Sequence, residues 1–173
     1  MAAIFAFTCS RCDALHEGSP SFGFDAPDHY NDLSDADKAS MATLSSELCT
    51  ITDGETTDRF VRAVIEVPIQ GVEEPFLWGV WVSLSERSYA RYLETADDPV
   101  VGEAFFGWIC NRIAVYPWSQ TRPANVVVQP RGERPLVMLH ARDTPDDPLA
   151  QDQAQGISIA RAQQLAEKVL HGG

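Results

Sequence analysis

Positive charge is scarce in this sequence. Of 173 residues, 13 are Lys or Arg against 25 Asp or Glu, a formal charge of −12, and no local basic stretch offsets it. Repulsion from phosphate argues against nucleic acid as a partner. Long apolar runs are missing too, so no segment reaches the roughly 20 residues that span a bilayer as a helix. The opening "MAAIFAFTCSRC" has no basic residue ahead of its short apolar stretch, which is not the pattern of a secretory signal. A soluble, cytoplasmic protein without a membrane partner is expected. Cysteines number only four, and in that compartment they are expected as thiols or metal ligands, not as a disulfide framework. There is no GxSxG, P-loop, GxGxxG or HExxH. An enzyme built on this chain would need a site assembled from residues far apart in sequence.

What is present is a globular composition. With 45% hydrophobic and 22% charged residues, eight Phe and four Trp, the chain has the material for one core and is too short for two large ones. A single domain over residues 1–173 is expected. The acidity is uneven: residues 1–60 carry 3 basic against 11 acidic side chains, and the remainder 10 against 14. Such a front end serves either as a solvated surface or as a face for a basic protein partner.

The pattern divides into an irregular segment over 1–46, a sheet region over 47–140, and a linker with a C-terminal helix over 141–173. "IFAFTC" reads as a short strand leading into a turn, and Gly18, Pro20, Gly23 and Pro27 then break any long helix. Ser34 is placed to cap a helix over "DADKASMATL". "LCTIT" reads as a strand. In "RFVRAVIEVPI" the residues Val61, Ala63, Ile65, Val67 and Ile69 form the buried parity, and in "FLWGVWVSLS" Phe76, Trp78, Val80, Val82 and Leu84 do so, with "QGVEEP" as the turn between them. Ser85 caps a helix over "ERSYARYLET". "EAFFGWICNRI" fits a strand or a buried helix, and "NVVVQP" with "RPLVMLH" fits a second hairpin. "RDTPDDPLAQDQAQG" reads as a surface crossing before a final amphipathic helix capped by Ser158, with Ile159, Ala162, Leu165, Ala166, Val169 and Leu170 along one stripe. Tight turns between consecutive strands predict an α+β domain, an antiparallel sheet with helices on one face.

Within "FTCSRCDALHEGSPSFGFDAPDHY", Cys9 and Cys12 have the C-x2-C spacing that sets two thiolates at zinc-binding separation, giving an N-terminal segment like a zinc knuckle. Two more ligands are needed. His16 is the nearest candidate and Cys49 the best remote one, with Cys110 and His29 as substitutes for the fourth. A redox dithiol would sit at the start of a helix, which Gly18 and Pro20 do not favour; plain buried thiols are the other alternative. Trp78, Trp81 and Trp108, each near a glycine, either line a groove for a ligand or pack in the core. Trp118, in "YPWSQTRP", is the tryptophan expected to be most exposed. His140 in "LHARD" reads as a surface residue.

The segments "FTCSRCDALHEGSPSFGFDAP", "LCTI", "EVPIQGVEEPFLWGVWVSLSE", "FFGWICN" and "QPRGERPLVML" together resemble an uncharacterised bacterial family defined only as a domain of unknown function. The resemblance covers nearly the whole chain. It implies Cys9, Cys12, His16 and Cys49 as family features; Asp147 stands where the family pattern implies a histidine, which argues against a role for that loop. No activity comes with the family. The expected function is a non-enzymatic protein-binding or adaptor module with a structural zinc site, in one version an immunity-like protein that neutralises a basic partner. The alternative is a zinc-dependent hydrolase-type enzyme with an open metal position.

Overall fold

The structure is a computed structural model that describes residues 3–172. Its elements run β1 (Ala6–Thr8), β2 (Leu15–Glu17), β3 (Ser21–Gly23), α1 (Asp28–Asn31), α2 (Asp35–Met41), β4 (Ala42–Leu44), β5 (Leu48–Asp53), β6 (Thr56–Val67), β7 (Phe76–Leu84), α3 (Glu86–Glu94), β8 (Ala104–Ile109), β9 (Pro123–Val127), β10 (Leu136–Leu139), α4 (Pro148–Gln155) and α5 (Ile159–His171). No helix among the described residues is long and apolar enough to cross a membrane.

The central hairpin is β6 against β7, in antiparallel register from Arg59↔Leu84 to Val67↔Phe76. Period-2 alternation places Val61, Ala63, Ile65 and Val67 beside Phe76, Trp78, Val80 and Val82 in one core. β7 passes to β8, β8 to β9 and β9 to β10, each antiparallel. β10 then returns to β6 in parallel, Leu136 opposite Val64. The five strands β6 to β10 thus close into a barrel: the domain is mostly sheet with helices, as expected, but not the simple antiparallel sheet with helices on one face. Closure leaves the barrel without a free edge, which removes a template for unwanted strand pairing.

The closing seam is short because β6 serves two neighbours, β5 along its first half and β10 further on. A side chain extends the seam: the Gln153 amide of α4 accepts from Leu139 N at 2.8 Å and donates to Val137 O at 2.7 Å and Glu66 O at 3.4 Å. It thereby satisfies strand groups that no ladder partner reaches. β7 is shared in the same way, since β3 pairs in parallel with Leu77–Gly79 while β8 takes the other end. At that crossing a Cβ on Gly79 would lie 3.3 Å from Gly23 Cα, so the two glycines allow the backbones to approach.

A second core lies on the outer side of the barrel. Phe60 and Trp81, on the parity opposite to the main core, pack with Cys49, Ile51 and Cys110 beneath Phe24, Tyr30, Leu33 and Met41. Trp81 Nε1 donates to Phe24 O at 2.9 Å, and its main-chain N–H donates to the buried Asn111 side chain at 2.8 Å. The segment read as irregular therefore covers one wall of the barrel and contributes three short strands besides β4, together with α1 and α2. Ser34, Ser85 and Ser158 cap α2, α3 and α5 as expected, each accepting a first-turn N–H. The stretch read as a surface crossing contains α4, whose Leu149 and Ala150 are buried. Asp147 caps it and forms a buried two-pronged pair with Arg122, Nε–Oδ2 2.7 Å and Nη2–Oδ1 3.0 Å.

Candidate metal centre

β1 and β2 form a small separate hairpin, with Phe7 opposite His16. Its loop holds the two cysteines. Cys9 N–H donates to Ala14 O at 2.9 Å and Asp13 N–H to Cys9 O at 3.0 Å, a turn tight enough to put Asp13 at φ 55°. A non-glycine residue in the left-handed region is uncommon, and aspartate is among those that tolerate it best. The turn folds the loop back over the Cys9 sulfur.

α5 docks on this loop along one line of side chains. Gln163, Glu167 and His171 are four residues apart and so share a face of the helix. The Gln163 amide donates to Thr8 O at 3.3 Å. The Glu167 carboxylate accepts from Ser10 N–H at 2.7 Å and Ser10 O–H at 2.8 Å. His171 Nε2 stands 3.0 Å from Cys9 Sγ. Three successive helical turns thus meet Thr8, Ser10 and Cys9, and the helix ends at Gly172 in the left-handed conformation directly after His171.

The ligand atoms of Cys9, Cys12 and His171 all lie within 4.8 Å of one another. A tetrahedral zinc site with bonds of about 2.0–2.3 Å has ligand-to-ligand edges of roughly 3.3–3.8 Å, so the three can hold a metal ion after small side-chain adjustments. Cys9 is buried, while Cys12 and His171 are exposed. Burial pushes the Cys9 thiol up, but the main-chain N–H groups of Arg11 and Cys12 and the Cys12 thiol outweigh it and bring Cys9 below its ordinary value, against the opposing charge of Glu167. Those amides favour the thiolate that a metal requires. The Ser10 N–H, the Gln163 amide and the Ser10 hydroxyl hold Glu167 down at about 2. The carbonyl end of a helix also favours a cation.

His16, expected as a ligand, stands beside this group without joining it: its Nε2 is 3.9 Å from Cys12 Sγ, but its ring is stacked on Phe7 at 5.0 Å between centroids and lies outside the set of atoms within 4.8 Å of one another. Cys49 is elsewhere: it lies in the second core, where burial pushes its thiol up to about 11. Cys110 is in the same cluster, raised by burial and donating to Trp108 O. His29 packs against Phe60. The third member of the cluster, His171, was missed by sequence reasoning because it lies 162 residues from Cys9. The one signal for it was the Gln163, Glu167, His171 row, which runs beside the apolar stripe of the last helix.

The aromatic candidates part company. Trp78 is in the main core, stacked on Phe76, and Trp81 in the second core on the opposite face of β7. Trp108 is 43% exposed on β8. Trp118, expected to be the most exposed tryptophan, is half-buried, and Trp108 takes that place. Trp78, Trp81 and Trp108 therefore line no common groove.

Residues 8–157 match the bacterial family DUF2199, described as an uncharacterised protein conserved in bacteria. The chain belongs to that family. No curated protein and no solved structure matches it. The DUF2199 span includes Cys9 and Cys12 but stops before α5, so the histidine that completes the cluster lies outside the matched residues.

Proposed function

We propose that this DUF2199 protein is a zinc-stapled binding module: Cys9, Cys12 and His171 hold a structural zinc ion that ties the N-terminal hairpin to the C-terminal helix, with His16 as fourth ligand. The observation that carries this reading is the approach of three ligand atoms within 4.8 Å at the point where α5 clamps the loop. Soft thiolates with imidazole suit zinc better than magnesium or calcium. His16 Nε2 is 3.9 Å from Cys12 Sγ but outside the group that lies within 4.8 Å, so closure requires its ring to swing inward from its stack on Phe7. Two thiolates and two neutral imidazoles balance the charge of Zn²⁺, which suits a site with a structural task. The excess of carboxylates favours a basic protein as the partner.

A second reading has one observation of its own: two of the three clustered ligands are exposed, and three protein ligands with a solvent-facing fourth position describe a catalytic zinc. Cobalt substitution separates the two. A closed site gives the intense visible bands of four-coordinate Co²⁺, which stay unchanged on adding cyanide or azide and change in His16→Ala. An open site shifts its bands with the anion and is indifferent to His16.

A further inference from the structure

The second core ends abruptly. Phe106 and Trp108 on β8, and Cys110 directly after its end, share one outward parity. Cys110 is buried beneath the covering segment, Trp108 is 43% exposed and Phe106 49% exposed. Across the strands, Asn125 of β9 is the register partner of both Phe106 and Met138, and Met138 of β10 is 49% exposed. The cover formed by residues 24–42 lies over the β5, β6 and β7 wall, and the β8, β9 and β10 wall beside it is bare. Phe106 and Trp108 stand edge to face at 5.2 Å, a preorganised aromatic pair, and a methionine next to it adds an adaptable apolar surface.

Unpaired carboxylates border this face. Trp108 shares a hollow of about 310 Å³ with His29 and Asp58, and the adjoining cleft of about 660 Å³ carries Asp28 and Asp32. Asp58 and Asp32 make no ion pair among the described residues. The cleft also carries Arg112, which is exposed and makes no ion pair among the described residues, and Arg122, which is committed to Asp147. On the other flank His140 lies 5.7 Å from Phe106 and pairs with Asp143 at 3.5 Å. A second copy of this chain would bring like charge to that rim and a formal −12 overall, which opposes self-association.

We infer that the outer wall formed by Phe106, Trp108 and Met138 is the docking face for a basic protein segment, which lays an apolar or aromatic side chain on the Phe106–Trp108 pair and directs a Lys or Arg into the hollow beside Asp58. The inference rests on the binding-module reading and supplies its surface. Because β8, β9 and β10 lie inside a closed barrel, the partner packs on the face and does not add a strand. Aromatic and methionine anchors beside unpaired carboxylates are the composition of an interface hot spot that selects a cationic partner.

The test uses the zinc-loaded full chain and two synthetic peptide panels. One panel combines Trp or Leu with Lys and Arg, and the other is identical except that Glu replaces each cation. Binding is read by fluorescence anisotropy and by amide shifts. The basic panel is expected to bind, to shift amides around Phe106, Trp108 and Met138, and to lose at least tenfold in affinity with Trp108→Ser or Phe106→Ser. Asp58→Asn is expected to weaken binding several-fold and flatten its salt dependence. Equal binding of both panels, shifts confined to another face, no shift from either panel, or a dimer in sedimentation that Phe106→Ser dissociates would each overturn the docking face. Zinc content measured on the same samples reports separately on the staple, so failure of one reading is distinguishable from failure of the other.

Discussion

Replacing Asp147 by Ala while Arg122 remains strands a guanidinium inside the protein. The two side chains are 1% and 6% exposed, joined at 2.7 and 3.0 Å, and Arg122 Nη2 also donates to Tyr116 O at 2.7 Å. Removing one member of a buried pair costs about 3–5 kcal/mol, because the other charge loses its partner without regaining water. Asp147 also accepts from Leu149 N–H at 3.1 Å as the cap of α4, a contribution of ~1 kcal/mol alone. These terms overlap, so the expected loss is roughly 4 kcal/mol, which for a chain of this length lowers Tm by roughly 8–16 °C. Urea unfolding of Asp147→Ala, Arg122→Met and the double variant, all in excess zinc, measures it. The double variant is expected to be less destabilised than the sum of the singles by at least about 2 kcal/mol, since replacing both members removes the stranded charge. A loss below ~1 kcal/mol in Asp147→Ala, or strict additivity, would refute the claim that this pair is a buried structural link. It would also reopen the loop around Asp147 to another role.

Two further outcomes follow from the site. Glu167 has its carboxyl held at about 2 against an ordinary 4.5, so its contribution to stability is complete above 4.5 and is lost as pH falls toward 2. Unfolding titrations across that interval are expected to show a share of the acid-induced loss in the wild type that is absent from Glu167→Gln; identical profiles would contradict the clamp. In chelator-treated protein, iodoacetamide is expected to modify the exposed Cys12 well before Cys49, whose thiol is pushed up to about 11, or the buried Cys110. Zinc should protect Cys9 and Cys12 together, as peptide mass mapping would show; protection of Cys49 in their place would move the metal elsewhere.

Local chemistry was readable and long-range closure was not. The β6 and β7 alternation, the three serine caps and the close pair Cys9 and Cys12 each depend on residues within a few positions of one another, where spacing carries the physics. The barrel depends on Leu136 meeting Val64, a parallel contact between segments 72 residues apart that no periodicity announces. Phe60 and Trp81 fall on the parity read as outward because burial of the outer wall requires a covering segment whose own apolar residues, Phe24, Tyr30, Leu33 and Met41, are scattered among turns. α4 was hidden by composition: of "PLAQDQAQ" only Leu149 and Ala150 are buried, although Asp147 followed by Pro148 is a helix-start signature. His171 was hidden by distance alone, and Cys49 stood out in the sequence for a position that the fold assigns to a small apolar core.

The central claim is that zinc joins the two ends of the chain through Cys9, Cys12 and His171. Plasma mass spectrometry on untagged protein, for the wild type, Cys9→Ser, His171→Ala and Cys49→Ser, tests it most directly. The account predicts one zinc per chain in the wild type and Cys49→Ser, a marked loss in Cys9→Ser and His171→Ala, and a lower Tm in those two variants alone. Full zinc in His171→Ala, or no metal in the wild type after purification in zinc-containing buffer, would contradict it.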